Sequence, residues 1–516
     1  MEQQDQNRDV VTDAHGNVYV ACNFTSHGVI LDTIFMRNHL AGEEDFFLAK
    51  FDSMGQLQWA QKPLTSSTIA IWSMSLDEEG NVYIAGSGYP GQITIGNYSS
   101  SAIGAFIIKY DSNGNVIWVM PRLGGNTNSL IPTKIISGLH GEMYLAGYFI
   151  FYDPVFGTDT LNYQDTIPGK SDCFVLKFDT AGNIKNAISF GGNGYEFIND
   201  MIVDRNGNLI IAGNFDCPEM EIDSFRLVNS SSGHPDFLIA KLDSTEHFLW
   251  AKSGGGASID RGESLGLDSV SNIYLAGNGL APMIFDSISI NANNYYLIKL
   301  DNNGELMWST GITYGWIYLG SFQQDTDGNL YAVFSMASDT VMLGSQVILQ
   351  DTSSVGRGLI VRYDANGSVN WTKALYGTGN LDIERISVIS TDRCIVSGSF
   401  FNSCLIDTTN YTSNGNVDSF IALMSPEILN GVWNNTKIGL SEPIVFPNPS
   451  KGVVNILSEN EILQSYTIYD SMGKIVISKK CQGNRLSVDL SSTPPGIYLV
   501  KMEGKTGTSY KKLIRN

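Results

Sequence analysis

Apolar residues along this chain come in short β-branched and aromatic runs, separated by clusters of Gly, Asn, Asp and Ser. That pattern predicts strands joined by tight turns. The stretch VTDAHGNVYVACNF (11–24) reads as strand, turn, strand, and near-copies recur as SLDEEGNVYIAGSG, IVDRNGNLIIAGNF and QQDTDGNLYAVFSM. A second landmark is a Trp after another turn, at positions 59, 118, 250, 308, 371 and 433, with Asn186 standing in once. Successive gaps of 59, 68, 64, 58, 63 and 62 residues define seven units of about 62 residues. In the fourth unit Ile198–Asp204, Asn208–Gly213, Asp236–Asp243 and Phe248–Lys252 read as strands A to D. A lone four-stranded sheet leaves both faces exposed, and stacking copies in a ring buries them. The expected fold is therefore all-β: a seven-bladed β-propeller with four strands per blade over residues 9–435, then a small Ig-like β-sandwich.

The turns repeat as DxxGN between A and B and as DSNGN-like sequences between C and D. Asp at the first position accepts turn amides, and Gly at the fourth takes positive φ. DTDGN (325–329) tempts a calcium reading, but the distal bidentate Glu of a calcium loop is missing at the required spacing. Each unit also carries an extra segment between B and C, such as ILDTIF (30–35) and IFDSISI (284–290), expected to be an added hairpin. In an up-and-down blade the A–B and C–D turns share one end, and the B–C and D–A connections share the other. Variable loops on a rigid scaffold usually hold binding sites, so the second end is where a ligand is expected. The units resemble bacterial β-propeller repeats of the D-x-x-GNVYVAG…D-x-FLAKYD-x-x-G-x-x-W type. That resemblance implies architecture and says little about ligand.

After Trp433 the period stops. Residues 436–443 read as a linker, and alternating apolar positions over 444–516 predict six or seven short strands. Within this segment stand Pro447, Asn448, Pro449 and Gly452, then Tyr469, Asp470, Gly473 and Lys474. Leu490, Pro495, Gly496, Tyr498 and Lys501 follow, and a basic-apolar tail closes at Lys511, Lys512 and Leu513. Together they closely resemble the type A C-terminal sorting domain of the type IX secretion system. The resemblance implies a Gram-negative cell and a preprotein that crosses the inner membrane by a signal peptide. The folded cargo is then guided across the outer membrane, and the sorting domain is typically cleaved. The cargo is released or attached to surface lipopolysaccharide. The start, MEQQDQNRDV, lacks the charged-then-apolar layout of a signal peptide, so a truncated or misassigned start is expected.

Charge separates the two parts. Residues 443–516 carry ten Lys/Arg and five Asp/Glu, whereas the remainder carries 22 and 47 within a chain of net charge −20. That balance argues against nucleic acid as a partner. No apolar run reaches transmembrane length. The six cysteines follow no metal spacing and read as small buried hydrophobes, with Cys394–Cys404 the one candidate disulfide. The six histidines form no HExxH, there is no GxSxG elbow or P-loop, and SGGGAS (253–258) opens no helix. No cofactor or metal is expected.

Loop carboxylates (Glu196, Asp260, Glu263, Asp382, Glu384) are candidates for a hydrolytic pair, and Tyr195, Tyr314, Trp316 and Tyr318 for stacking on sugar rings. Of these, Tyr195, Asp260, Tyr314 and Trp316 are the ligand-binding candidates. The function expected is a secreted or cell-surface, non-catalytic binding module for glycan or another surface macromolecule, partnered by the type IX translocon and sorting machinery. A polysaccharide-degrading enzyme and a structural repeat scaffold are the alternatives.

Overall fold

The computed structural model describes residues 5–515 apart from 32–33, 41, 102–103, 126–128, 165–168, 232, 281, 316, 326, 339, 344–345, 351–355, 391–392, 407–408, 425–443, 447–451, 458–461, 471–473, 484 and 505–507. All regular structure among these residues is β. The chain divides into two compact units, 1–430 and 431–516. The expected linker, 436–443, lies outside the described residues.

The first unit has a propeller-like arrangement of antiparallel sheets. Its A strands are Asp5–Thr12, Ile69–Leu76, Leu130–Ser137, Glu196–Val203, Arg261–Leu267, Ile317–Gln324 and Leu381–Ser390. Each heads an antiparallel A-B-C-D order in repeats one to six, and in the seventh an A-B-C order that continues the sixth repeat's sheet. Each A strand packs against the A strands on either side, and the seventh packs against the first, closing the circuit. Every A strand carries a β-bulge at the same place, at Arg8, Trp72, Thr133, Asn199, Glu263, Gly320 and Glu384. The residue after the bulge reaches the next A strand. Asp9 Oδ2 accepts Met74 N at 2.9 Å, Asp200 Oδ2 accepts Leu265 N at 2.8 Å, and Arg385 Nε donates to Arg8 O at 2.9 Å. The bulge pushes a carbonyl against strand B, which explains the Gly ending GNLIIAG. A Cβ on Gly213 would stand 1.8 Å from Phe197 O.

The repeated turns behave as their composition predicts. Asp204 Oδ1 accepts Asn206 N and Asn208 N at 2.8 and 2.9 Å, Oδ2 accepts Asn208 Nδ2 at 2.9 Å, and Gly207 sits at φ +81°. In DTDGN, Asp325 makes the same bonds to Asp327 and Asn329, so its oxygens already serve the turn.

Adjacent repeats are latched by the Lys of strand C. Lys50, Lys109, Lys177, Lys241 and Lys299 donate to the carbonyls of Ser112, Thr180, Ser244, Asn302 and Ala365, each the second residue of the next repeat's C–D turn. The same ammonium pairs with the A–B turn: Lys109 with Asp77 at 3.2 Å, Lys241 with Asp204 at 2.8 Å, Lys299 with Asp268 at 3.0 Å. It also lies over the buried Tyr of strand B, 4.7–4.9 Å from the ring centres of Tyr19, Tyr83 and Tyr274. The strand-D Trp meets that Tyr edge-on, as in Tyr83–Trp118 at 5.8 Å.

The inserted segments are hairpins, as expected, but they are not free loops. The first repeat's hairpin is a two-stranded sheet of its own, but later ones pair with strand D of the preceding repeat or the segment just after it, as Ile93–Thr94 with Leu64–Thr65, Met283–Ile284 with Gly255–Gly256, and Cys404–Leu405 with Tyr376–Gly377. Backbone contacts between Val155 and Gly124, and between Glu221 and Gly191, do the same at two further seams. The insertions are stitches between repeats. The candidate disulfide does not form: Cys394 and Cys404 lie on the same strand, Arg393–Ile406, roughly 30 Å apart at ~3.3 Å per residue. A disulfide spans far less, and all six cysteines are free.

Lys241 and Asp204 are 2% and 0% exposed, so removing one partner strands a buried charge. Lys241→Met is expected to lower unfolding stability by about 3–5 kcal/mol in urea titration. The equivalent loss at the exposed pair Arg226–Glu219, tested as Arg226→Gln, is expected to stay below about 1 kcal/mol.

Candidate functional site: the loop end and the C-terminal unit

At the loop end of the first unit, the connection from the third sheet to the fourth carries Tyr195, 41% exposed. Its ring lies nearly parallel to Phe197, with centroids 6.3 Å apart at 8°, and Tyr148 meets Phe197 edge-on at 4.8 Å. Lys170 Nζ stands 3.8 Å above Tyr195, and Asp216 fixes the connection by accepting Tyr195 N at 2.6 Å. The result is an aromatic pair with the Lys170 ammonium over the Tyr195 face, itself paired with Asp216 at 3.8 Å. Tyr314 and Tyr318, 59% and 58% exposed, flank the connection from the fifth sheet to the sixth. They belong to a different seam from Tyr195, and Trp316 between them lies outside the described residues.

Asp260 is fully buried. Its Oδ2 accepts Gly256 N at 2.7 Å and its Oδ1 accepts Leu280 N at 3.1 Å, so it holds two loops together. Burial pushes its carboxyl up to about 7 against the pull of those amides. Asp5 and Glu196 stand at the equivalent place before their bulges; Asp5 caps Ser26, and Glu196 is fully buried. Glu263 and Glu384 are bulge residues on inner strands, and Asp382 is exposed two residues before the seventh bulge. Burial raises Glu384 to about 7, and its Oε1 accepts Ser399 Oγ at 3.0 Å. Among the described residues no three His, Cys, Asp or Glu side chains converge to hold a metal ion.

The second unit has two sheets. One contains Ile444–Phe446, Val453–Leu457 and Arg485–Asp489; the other contains Leu463–Tyr469, Ile475–Gly483, Gly496–Glu503 and Thr508–Arg515. Val454, Ile456, Ile468, Leu490, Val500 and Leu513 share one core between them. Gly452 O accepts Leu490 N at 2.7 Å, Tyr498 Oη donates to Pro494 O at 2.6 Å, and Lys474 N bonds Asp470 Oδ1 at 2.9 Å. Gly496 opens the strand that the last strand pairs with. On that last strand Lys512 is exposed while Leu513 is buried, and Arg515 pins the strand to Leu490 O and Ser491 O. Pro447, Asn448, Pro449 and Gly473 lie outside the described residues.

Residues 444–516 match the family described as the secretion system C-terminal sorting domain. This segment is a type IX secretion sorting domain. The sorting domain marks the chain for secretion or the cell surface and for contact with the type IX secretion machinery. Upstream of it, similarity is weaker. Over 234 residues, 43% of its length, the chain is 27% identical to the regulatory protein FlaEY of Caulobacter vibrioides. Over 210 residues, 34% of its length, it is 26% identical to an uncharacterized WD repeat-containing protein of Acanthamoeba polyphaga mimivirus. It spans 23% and 15% of those two relatives. Among solved structures it is similar to puromycin hydrolase, at 9% identity and a TM-score of 0.41, over 96% of this chain and 58% of that one. No helix among the described residues is long and apolar enough to cross a membrane.

Burial also raises Asp172, to about 6. The unfolded chain releases such protons near ~4. Stability from Asp172, Asp260 and Glu384 is therefore fully present below about pH 4 and is lost as pH rises to about 7. The urea midpoint is expected to fall between about pH 4.5 and 7.5, and Asp260→Asn to flatten that fall.

Proposed function

We propose that the first unit is a seven-bladed β-propeller that the sorting domain, an Ig-like sandwich, delivers to the cell surface. There it acts as a non-catalytic binding module for glycan or another surface macromolecule. The observation that carries this reading is the shelf of Tyr195 and Phe197 beside Lys170 at the loop end. Parallel aromatic faces stack on the apolar faces of sugar rings. Tyr314 offers a second exposed ring two seams away.

The test is binding of the purified chain to surface polysaccharide from a type IX-secreting bacterium. Loss of one stacking ring is worth about 1–1.5 kcal/mol, so Tyr195→Ala is expected to weaken binding about tenfold. Release of new reducing ends would replace this reading with a hydrolytic one, and equal binding by Tyr195→Ala and Tyr314→Ala would overturn it. Deletion of residues 444–516 is expected to leave the first unit inside the cell envelope, as fractionation would show.

A further inference from the structure

The seam between the third and fourth repeats keeps the lysine latch but departs from the repeat consensus at four positions around it. At the other described seams a strand-D Trp fills the space against the Gly of the next C–D turn. A Cβ on Gly114 would stand 2.8 Å from Trp59, on Gly304 3.0 Å from Trp250, and on Gly367 2.6 Å from Trp308. Here the Trp is Asn186 and the Gly is Glu246. In the A–B turn of the third repeat, Gly138 replaces the Asp and Glu142 replaces the Asn. Glu142, Asn186 and Glu246 gather at Lys177, and Gly138 removes the turn carboxylate that pairs with the lysine in other repeats.

Two consequences follow. Where the indole is missing there is an open cavity of about 540 Å³ at the turn end, lined by His140, Glu142, Lys177, Lys185, Asn186 and Glu246. A second cavity of about 260 Å³ shares Glu246 and adds Glu221 and Asp223. The charges are also rearranged. Lys177 Nζ lies between Glu142 at 2.9 Å and Glu246 at 3.0 Å, and Asn186 Nδ2 donates to Glu246 Oε2 at 3.0 Å. Asp179 in the wall is paired with Lys185 at 2.9 Å. Glu142 Oε2 also accepts Tyr144 Oη at 3.1 Å. The wall thus sets Lys177 and Lys185 against Glu142, Asp179 and Glu246, an excess of one negative charge, and Glu221 and Asp223 line the neighbouring cavity. A volume of this size falls in the ordinary range for small-ligand sites, and an excess of one sign in a concave wall concentrates the opposite charge.

We infer that this cavity binds a small ligand through an ammonium group. The ammonium would sit beside Glu246 and Glu142, with Asn186 and the Ser244–Thr245 turn contacting its polar substituents. The site lies at the opposite end of the sheets from the aromatic shelf and stands independently of the reading given above.

The probes are glucosamine and n-butylamine, each an ammonium source, with N-acetylglucosamine as the neutral control. Binding to the full chain is followed by calorimetry. Both amines are expected to bind at least tenfold tighter than the control. A tighter fit of glucosamine assigns the ammonium to an amino sugar, and equal fits assign it to a simple alkylamine. Glu246→Gln is expected to weaken amine binding at least fivefold. The double variant Asn186→Trp/Glu246→Gly restores the repeat, fills the cavity and is expected to abolish binding while the thermal midpoint holds or rises. Tyr195→Ala is expected to leave amine binding unchanged, which separates this site from the loop end. Amines that bind no tighter than N-acetylglucosamine, or a repeat-restored variant that still binds them, would overturn the inference.

Discussion

The first unit depends on one contact: a buried lysine ammonium that crosses from strand C of one repeat to a turn carbonyl of the next. Lys109, Lys241 and Lys299 are each less than a tenth exposed, and each satisfies an Asp of its own A–B turn and a carbonyl of its neighbour, Lys109 and Lys299 with a tyrosine face as well. A buried charge is tolerated only when paired and hydrogen-bonded. The turn Asp, the strand-B Tyr, the strand-C Lys and the strand-D Trp therefore form one constellation, which explains why they recur together at a fixed period. Repeats joined only to their neighbours gain stability seam by seam.

Much of this was legible before any coordinates. The fourth repeat's strands fall within a few residues of where apolar runs and turn residues put them, because a buried strand and a tight turn each leave a local compositional mark. The hairpin insertions were visible as elements, but not their partners. Thr94 pairs with Leu64, thirty positions upstream in another repeat, and periodicity says nothing about which edge a strand will find. Asp260 reads as a loop acid because Gly, Ser and Asp surround it, and nothing local reveals that its oxygens turn inward to Gly256 and Leu280. The cavity at the third seam had a signal, the paired loss of Trp at 186 and Gly at 246. It points to a site only once the structure shows that those two positions face each other.

Export sharpens the meaning of the cysteines. A chain bound for an oxidising compartment normally uses its cysteines or hides them. Here burial pushes Cys394 up to about 12 and Cys404 up to about 11, and Cys22, Cys173, Cys217 and Cys394 are at most 1% exposed. The thiolate is the reactive form, so these groups are chemically quiet without a partner. Stability must then come from the packed cores and the seams, without a covalent link.

That places the heaviest demand on the seam where the seventh repeat meets the first. Its partners are separated by almost the whole unit, so closure carries the largest loop entropy of any seam. Among the described residues no strand is shared across it: Asp5–Thr12 pairs in its own sheet and Leu381–Ser390 in another. The seam is held by side chains reaching backbone. Asn7 Nδ2 donates to Gly398 O at 3.0 Å, Arg385 Nε to Arg8 O at 2.9 Å, and Ser419 Oγ to Asp5 O at 3.0 Å. At the turn end strand C of the seventh repeat has Leu423 where the other repeats carry Lys or Arg, and Arg393 from the A–B turn reaches Ser53 O instead. The same turn carbonyl is thus engaged by a different residue from a different strand. The carbonyl, rather than the lysine, is the fixed point of the latch, and a repeat departs from the consensus without opening the ring so long as some cation reaches it.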